Sequence, residues 1–130
     1  MRYTFMIISI MICLLLVAGC SDTKNVAYFK KHPNELFESS VKCGELSDKE
    51  ALKNKTCLAI AEVERPQCEH ELSMMGRVIT PDGEWLYSCP DRYLIALPAI
   101  RAKMQASVAG APDPVALYFK KHPNEKLYGN

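Results

Sequence analysis

Four cysteines, Cys43, Cys57, Cys68 and Cys89, constrain this chain more than any other feature. They follow a start that reads as an export signal. Arg2 is its only charge, Phe5 to Ala18 is almost wholly apolar, and small residues close the run. The run is shorter than the roughly 20 residues a spanning helix needs. In an exported chain an even cysteine count predicts two disulfides. Of the three connectivities open to four cysteines, Cys43–Cys57 with Cys68–Cys89 closes the shortest loops. Closing a loop of about 15 residues is worth roughly 3 kcal/mol. A chain of 130 residues gives one small domain at most, with a core that gains from such staples.

A metal reading of the same cysteines, with His70 close to Cys68, finds no CxxC and no common zinc spacing. Neither a metal nor a cofactor is expected. Beyond Arg2 the chain carries 15 Lys and Arg against 15 Asp and Glu. That balance lacks the basic excess of a nucleic-acid footprint. Nor does the sequence point to an enzyme. No serine lies in a GxSxG context. Glu62 and Glu64, like Glu69 and Glu71, are two apart and leave a helix on different faces.

The signal ends in Val17-Ala18-Gly19-Cys20, which resembles the bacterial lipobox. There a peptidase cuts before the cysteine, which then takes lipid, a palmitate-type anchor. Cys20 is the expected lipid attachment residue, and more than one acyl chain there holds a protein stably to a membrane. Residues 1–19 are read as the lipoprotein signal peptide and 20–25 as a lipidated tether.

The remainder predicts a mainly α, disulfide-stapled domain of short helices with one β-hairpin near 77–88. Val26–Lys31 suits a brief helix, and Pro33 opens another, which Gly44 ends. Leu36, Phe37 and Val41 share its apolar face. Ser47-Asp48-Lys49-Glu50 is a capping box. Thr56 is expected to cap a further helix with Leu58, Ile60, Ala61 and Val63 as apolar positions, which Arg65-Pro66 stops or bends. A helix over 66–75 closes at Gly76. RVIT-PDG-EWLYS reads as a hairpin. Trp85 and Tyr87 share one of its faces, read first as core and second as a contact patch. Pro98 is expected to open a last helix with Ile100, Met104 and Val108 on one face. The organisation is thus a helical unit over 26–65, a helix, hairpin and helix extension over 66–109, and a linker with tail over 110–130.

The octamer Tyr-Phe-Lys-Lys-His-Pro-Asn-Glu occurs twice, at 28–35 and 118–125. Two readings stay open. One is a partial duplication without a role, since Lys126-Leu127-Tyr128 departs from Leu36-Phe37-Glu38 and no cysteine follows. The other is a docking segment. If Tyr28 and Phe29 pack in a groove between the helices starting at Ser47 and near Thr56, Tyr118 and Phe119 could compete for it. That offers a route to self-association by swapping. Tyr28, Phe29, His32, Pro33, Tyr118 and Phe119 are therefore the candidate docking residues.

The order of elements in the first half carries a resemblance. After the lipobox come Tyr28-Phe29, His32-Pro33, Glu35-Leu36, Cys43, Gly44-Glu45-Leu46 and Cys57. This resembles the plasmid-encoded entry-exclusion lipoproteins of the EexN type, over about residues 1–63. After the second cysteine that family has a small apolar residue and then Asn-Ala, where this chain has Leu58-Ala59-Ile60. The resemblance implies a non-enzymatic protein of the bacterial envelope, lipid-anchored and periplasm-facing, in a cell that already carries a conjugative element. It implies a protein partner in the donor's type IV secretion apparatus and inhibition by binding. The competing class is a general envelope lipoprotein with a structural or inhibitory role, against a phage or a hydrolase. Ser21 after the lipid-bearing cysteine favours outer-membrane sorting and the implied partner favours the inner membrane, so both membranes stay open.

Overall fold

The computed structural model describes residues 24–80 and 83–123. Cys20, the signal and most of the tether lie outside the described residues, as do Pro81, Asp82 and Asn124 to Asn130. The chain is mainly helical, with six helices and a two-stranded antiparallel hairpin among the described residues. In order these are α1 (Val26–Lys31), α2 (Pro33–Gly44), α3 (Asp48–Ala51), α4 (Lys55–Met75), β1 (Val78–Ile79), β2 (Trp85–Leu86), α5 (Asp91–Val108) and α6 (Pro114–Lys121). Both disulfides form as the loop lengths predicted, Cys43–Cys57 tying α2 to α4 and Cys68–Cys89 tying α4 to the end of the hairpin.

Local signals start most helices. The Asn25 side chain accepts from the Tyr28 N–H, and Asp113 caps α6 through Val115. Ser47 and Glu50 complete the capping box of α3. At α4 the cap is Asn54 and not Thr56. Its Oδ1 accepts from the N–H groups of Thr56 and Cys57 at 2.9 and 3.1 Å. Asn54 is extended, as a cap must be, whereas Thr56 is already inside the first turn.

Two prolines act differently from expectation. Pro66 neither stops nor splits a helix, for α4 runs unbroken from Lys55 to Met75. The boundary drawn at 65/66 therefore falls mid-helix, and the two units share α4. Pro66 and Glu62 are both exposed, so water can take the carbonyl that loses its N–H donor. Cys57 and Cys68, on either side of Pro66, are each bridged to other segments. Likewise Pro98 does not open the last helix. It lies buried inside α5, which starts at Asp91 behind Pro90. Gly76 does close α4, with φ 70° and its N–H on the Leu72 carbonyl at 2.7 Å. Gly83 has φ 81° and returns its N–H to Thr80 in the hairpin turn.

The core gathers Phe29, Cys43, Leu46, Ala51, Cys57, Ile60, Ala61, Cys68, Val78, Leu94 and Ile95. It lies where α4 and α2 pack on α5, with α1 laid against α4 and α2. Leu94, Ile95 and Pro98 are the buried positions of α5. The expected stripe is not the core face, because Met104 and Val108 are exposed and Ile100 is half-buried. From Lys103 on most positions of α5 are exposed, so its apolar period there meets solvent.

Charged groups fasten α5. Arg92 donates to Asp48 at 2.7 Å and to the carbonyls of Cys43, Gly44 and Leu46 at 3.0–3.1 Å. It thereby satisfies the open C-terminus of α2, which ends at Gly44 without a left-handed cap. Arg65 pairs with Asp91, and Arg101 donates to the buried Glu64 carboxylate at 2.8 Å. A carboxylate that deep needs such a partner.

Candidate functional site

The two octamers build the same local object. In each, a short helix ends at a histidine whose ring stacks on the tyrosine one turn earlier. The Tyr28–His32 centroids are 4.1 Å apart and those of Tyr118–His122 are 4.6 Å. In each, tyrosine and phenylalanine meet edge to face, at 5.9 and 5.6 Å. His32 Nδ1 lies 2.8 Å from the Tyr28 carbonyl oxygen.

Their settings differ. In the first copy Phe29 is fully buried and Tyr28 half-buried. In the second Tyr118 is buried and Phe119 half-buried. α1 packs on α4 and α2, while α6 packs on α5. Phe29 joins a core cluster that includes Ala51 of α3 and Ile60 of α4, so the two octamers lie against different helices. Phe29 is a core residue, and the accessible side of this segment is formed by the half-buried Tyr28 with the exposed His32 and Pro33. Lys24 joins that surface, 2.7 Å from Glu35 and 5.8 Å from the Tyr28 ring centroid. The Lys24 contact, and then the Tyr28 hydroxyl, hold the Glu35 carboxyl below its ordinary range. Glu35 in turn raises the Tyr28 phenol.

The hairpin has two unlike faces. β1 and β2 pair Val78 with Leu86 and Ile79 with Trp85. Val78 and Leu86 turn to the core, and Ile79, Trp85 and Tyr87 turn outward. The core reading of Trp85 and Tyr87 is thus corrected to an exposed face. Cys89, three residues beyond Leu86, is held to Cys68 of α4. The Arg77 guanidinium lies over the Trp85 ring, 3.5 Å from its centroid.

Among the described residues no group of three or more His, Cys, Asp or Glu could hold a metal ion. The four cysteines weighed above as metal ligands are all in disulfides. An open groove of about 410 Å³ lies along Arg101, Met104, Gln105, Val108 and Ala109. Apart from one guanidinium and one amide its walls are apolar. Burial raises the Tyr93 phenol. Sequence reasoning did not single out Arg92 or Ser40, and it weighed Glu64 only against Glu62 without marking it as buried. Their partners lie 37 to 59 residues away, so no local pattern marks them.

No helix among the described residues is long and apolar enough to cross a membrane. No family model matches the chain, and neither a curated protein nor a solved structure matches it.

Proposed function

We propose that the protein is a lipid-anchored entry-exclusion lipoprotein, which blocks redundant conjugative transfer by binding a component of the donor's secretion apparatus. The observation that carries this reading is the order of sequence elements. Val17-Ala18-Gly19-Cys20 is followed by Tyr28-Phe29, His32-Pro33, Glu35-Leu36, Cys43, Gly44-Glu45-Leu46 and Cys57. Its support from the fold is that these residues act together. Phe29 packs in the core beside the Cys43–Cys57 bridge, and Leu46 joins the same cluster. Tyr28, His32 and Pro33 then form a surface beside the tether. Anchoring at Cys20 raises the local concentration of such a surface at the membrane.

The test is a mating assay. Recipients express the full chain or its Cys20→Ala form and receive either a cognate or an unrelated conjugative element. The expected result is that the full chain lowers cognate transfer alone, and Cys20→Ala does not. Unchanged transfer in a recipient that makes the protein well would reject exclusion and favour the general envelope lipoprotein.

A further inference from the structure

We propose that the outer face of the hairpin is a second membrane contact, which lies in the headgroup region of a bilayer containing anionic lipid. The face consists of Arg77, Ile79, Trp85 and Tyr87, with the exposed Met74 and Met75 just before it in the chain at the end of α4. Its large apolar members are 44% to 75% exposed, although they follow one another closely at the end of α4 and across one strand pair. A cluster of this kind is unusual on a free surface. Among the described residues nothing covers it, and Val78 and Leu86 fill the inner side of the same strands.

Two observations select a bilayer as the occupant. The first is chemical. Of the four arginines among the described residues, Arg65, Arg92 and Arg101 each pair with a carboxylate. Arg77 pairs with no carboxylate among the described residues and rests on Trp85 instead. A guanidinium stacked on tryptophan, beside tyrosine and methionine, presents an anion-binding head on an amphipathic aromatic base. Tryptophan and tyrosine collect at the headgroup level of membranes for that reason, and arginine pairs bidentately with phosphate. The second is reach, and it rests on the anchorage at Cys20 proposed above. Residues 21–25 give a tether of at most about 20 Å, against a radius of gyration of about 13 Å for a body of this size. So short a tether keeps the body against the bilayer, and an exposed apolar face is stabilised by turning toward it.

Trp85 is the single tryptophan of the chain and reports on the face directly. All core residues and both disulfides lie between Phe29 and Tyr118, so the unlipidated chain from Ser21 onward retains the whole fold. This chain is titrated with vesicles of phosphatidylethanolamine and phosphatidylglycerol, and with phosphatidylcholine alone. The expected result is a blue shift of Trp85 emission and co-sedimentation with the anionic vesicles. Ile79→Ser with Tyr87→Ser should weaken that binding about tenfold or more, and Arg77→Gln should remove the preference for phosphatidylglycerol. Unchanged emission and no co-sedimentation, with both disulfides intact and native circular dichroism, overturns the proposal. Equal binding to phosphatidylcholine overturns the part given to Arg77. If vesicles do not bind but Ile79→Ser with Tyr87→Ser abolishes exclusion at normal lipidation, the face meets a protein and the proposal fails. Vesicle binding beside a failed mating assay leaves the membrane contact standing and rejects exclusion alone, because the vesicle experiment needs neither the lipid nor the partner.

Discussion

Identical residues have different worth in the two octamers. Adjacent positions on a helix are about 100° apart, and each short helix buries one ring of its pair while leaving the other half-buried. α1 turns Phe29 into the core, and α6 turns Tyr118 onto α5. Phe29→Ala should therefore destabilise the chain by about 3–5 kcal/mol. Phe119→Ala, at the matching position of the second copy, should cost about 1 kcal/mol or less. Chemical denaturation of the two variants measures this. Equal losses would mean that both phenylalanines occupy equivalent sites. The stacked histidine and the edge-to-face pair, by contrast, recur in both copies. Those contacts lie within one helical turn and travel with the sequence.

At the scale of the element, α5 depends on a residue from another helix. Pro98 takes one N–H donor out of the helix and crowds the carbonyl a turn before it. Ser40 of α2, fully buried, enters at that turn. Its hydroxyl donates to the Ile95 carbonyl at 2.7 Å and accepts from the Ala99 N–H at 3.3 Å. Ile95 and Ala99 are the two ends of one α-helical hydrogen bond, so the hydroxyl bridges the turn that proline loosens. Ser40→Ala should cost about 1–3 kcal/mol, because it leaves these groups with poorer partners in a dry interior. The denaturation midpoint should fall with an unchanged slope. An unaltered midpoint would show that the backbone bond alone suffices. Local preference places proline in a first turn, but Pro98 is buried in the interior of a helix held by its packing on α2 and α4.

Over the whole molecule, the charged surface gives acid sensitivity of a definite sign. Hydrogen bonds from Lys24 and Tyr28 lower the Glu35 carboxyl, and those from Ser47 lower Glu50. A carboxyl lowered on folding adds stability above its unfolded value of about 4.3, and loses it as pH falls through the folded value. The melting temperature should thus stay level from about pH 7 to 5 and fall below about pH 4.5. Both groups are exposed, so the effect should be modest and, for the Lys24–Glu35 pair, weaker in salt. Glu35→Gln with Glu50→Gln should flatten the acid limb in a thermal melt series. A limb of unchanged steepness would assign it to other carboxylates.

Features set within a few residues were legible in the sequence. They include the helix over Val26–Lys31, the capping box at Ser47, the closing glycine at Gly76, the hairpin and both disulfide loops. Each follows from caps, turn residues or short loop closure, which act locally whatever the rest of the chain does. Tertiary structure alone decided which ring of each aromatic pair is buried, that α4 and α5 run through Pro66 and Pro98, and which hairpin face meets solvent. It also decided that Arg92 caps α2. These outcomes depend on which surfaces meet across 37 to 59 residues of sequence, as the Arg101–Glu64 and Ser40–Ala99 contacts do. A propensity of a few tenths of a kcal/mol at one position yields to the burial of a whole side chain at another.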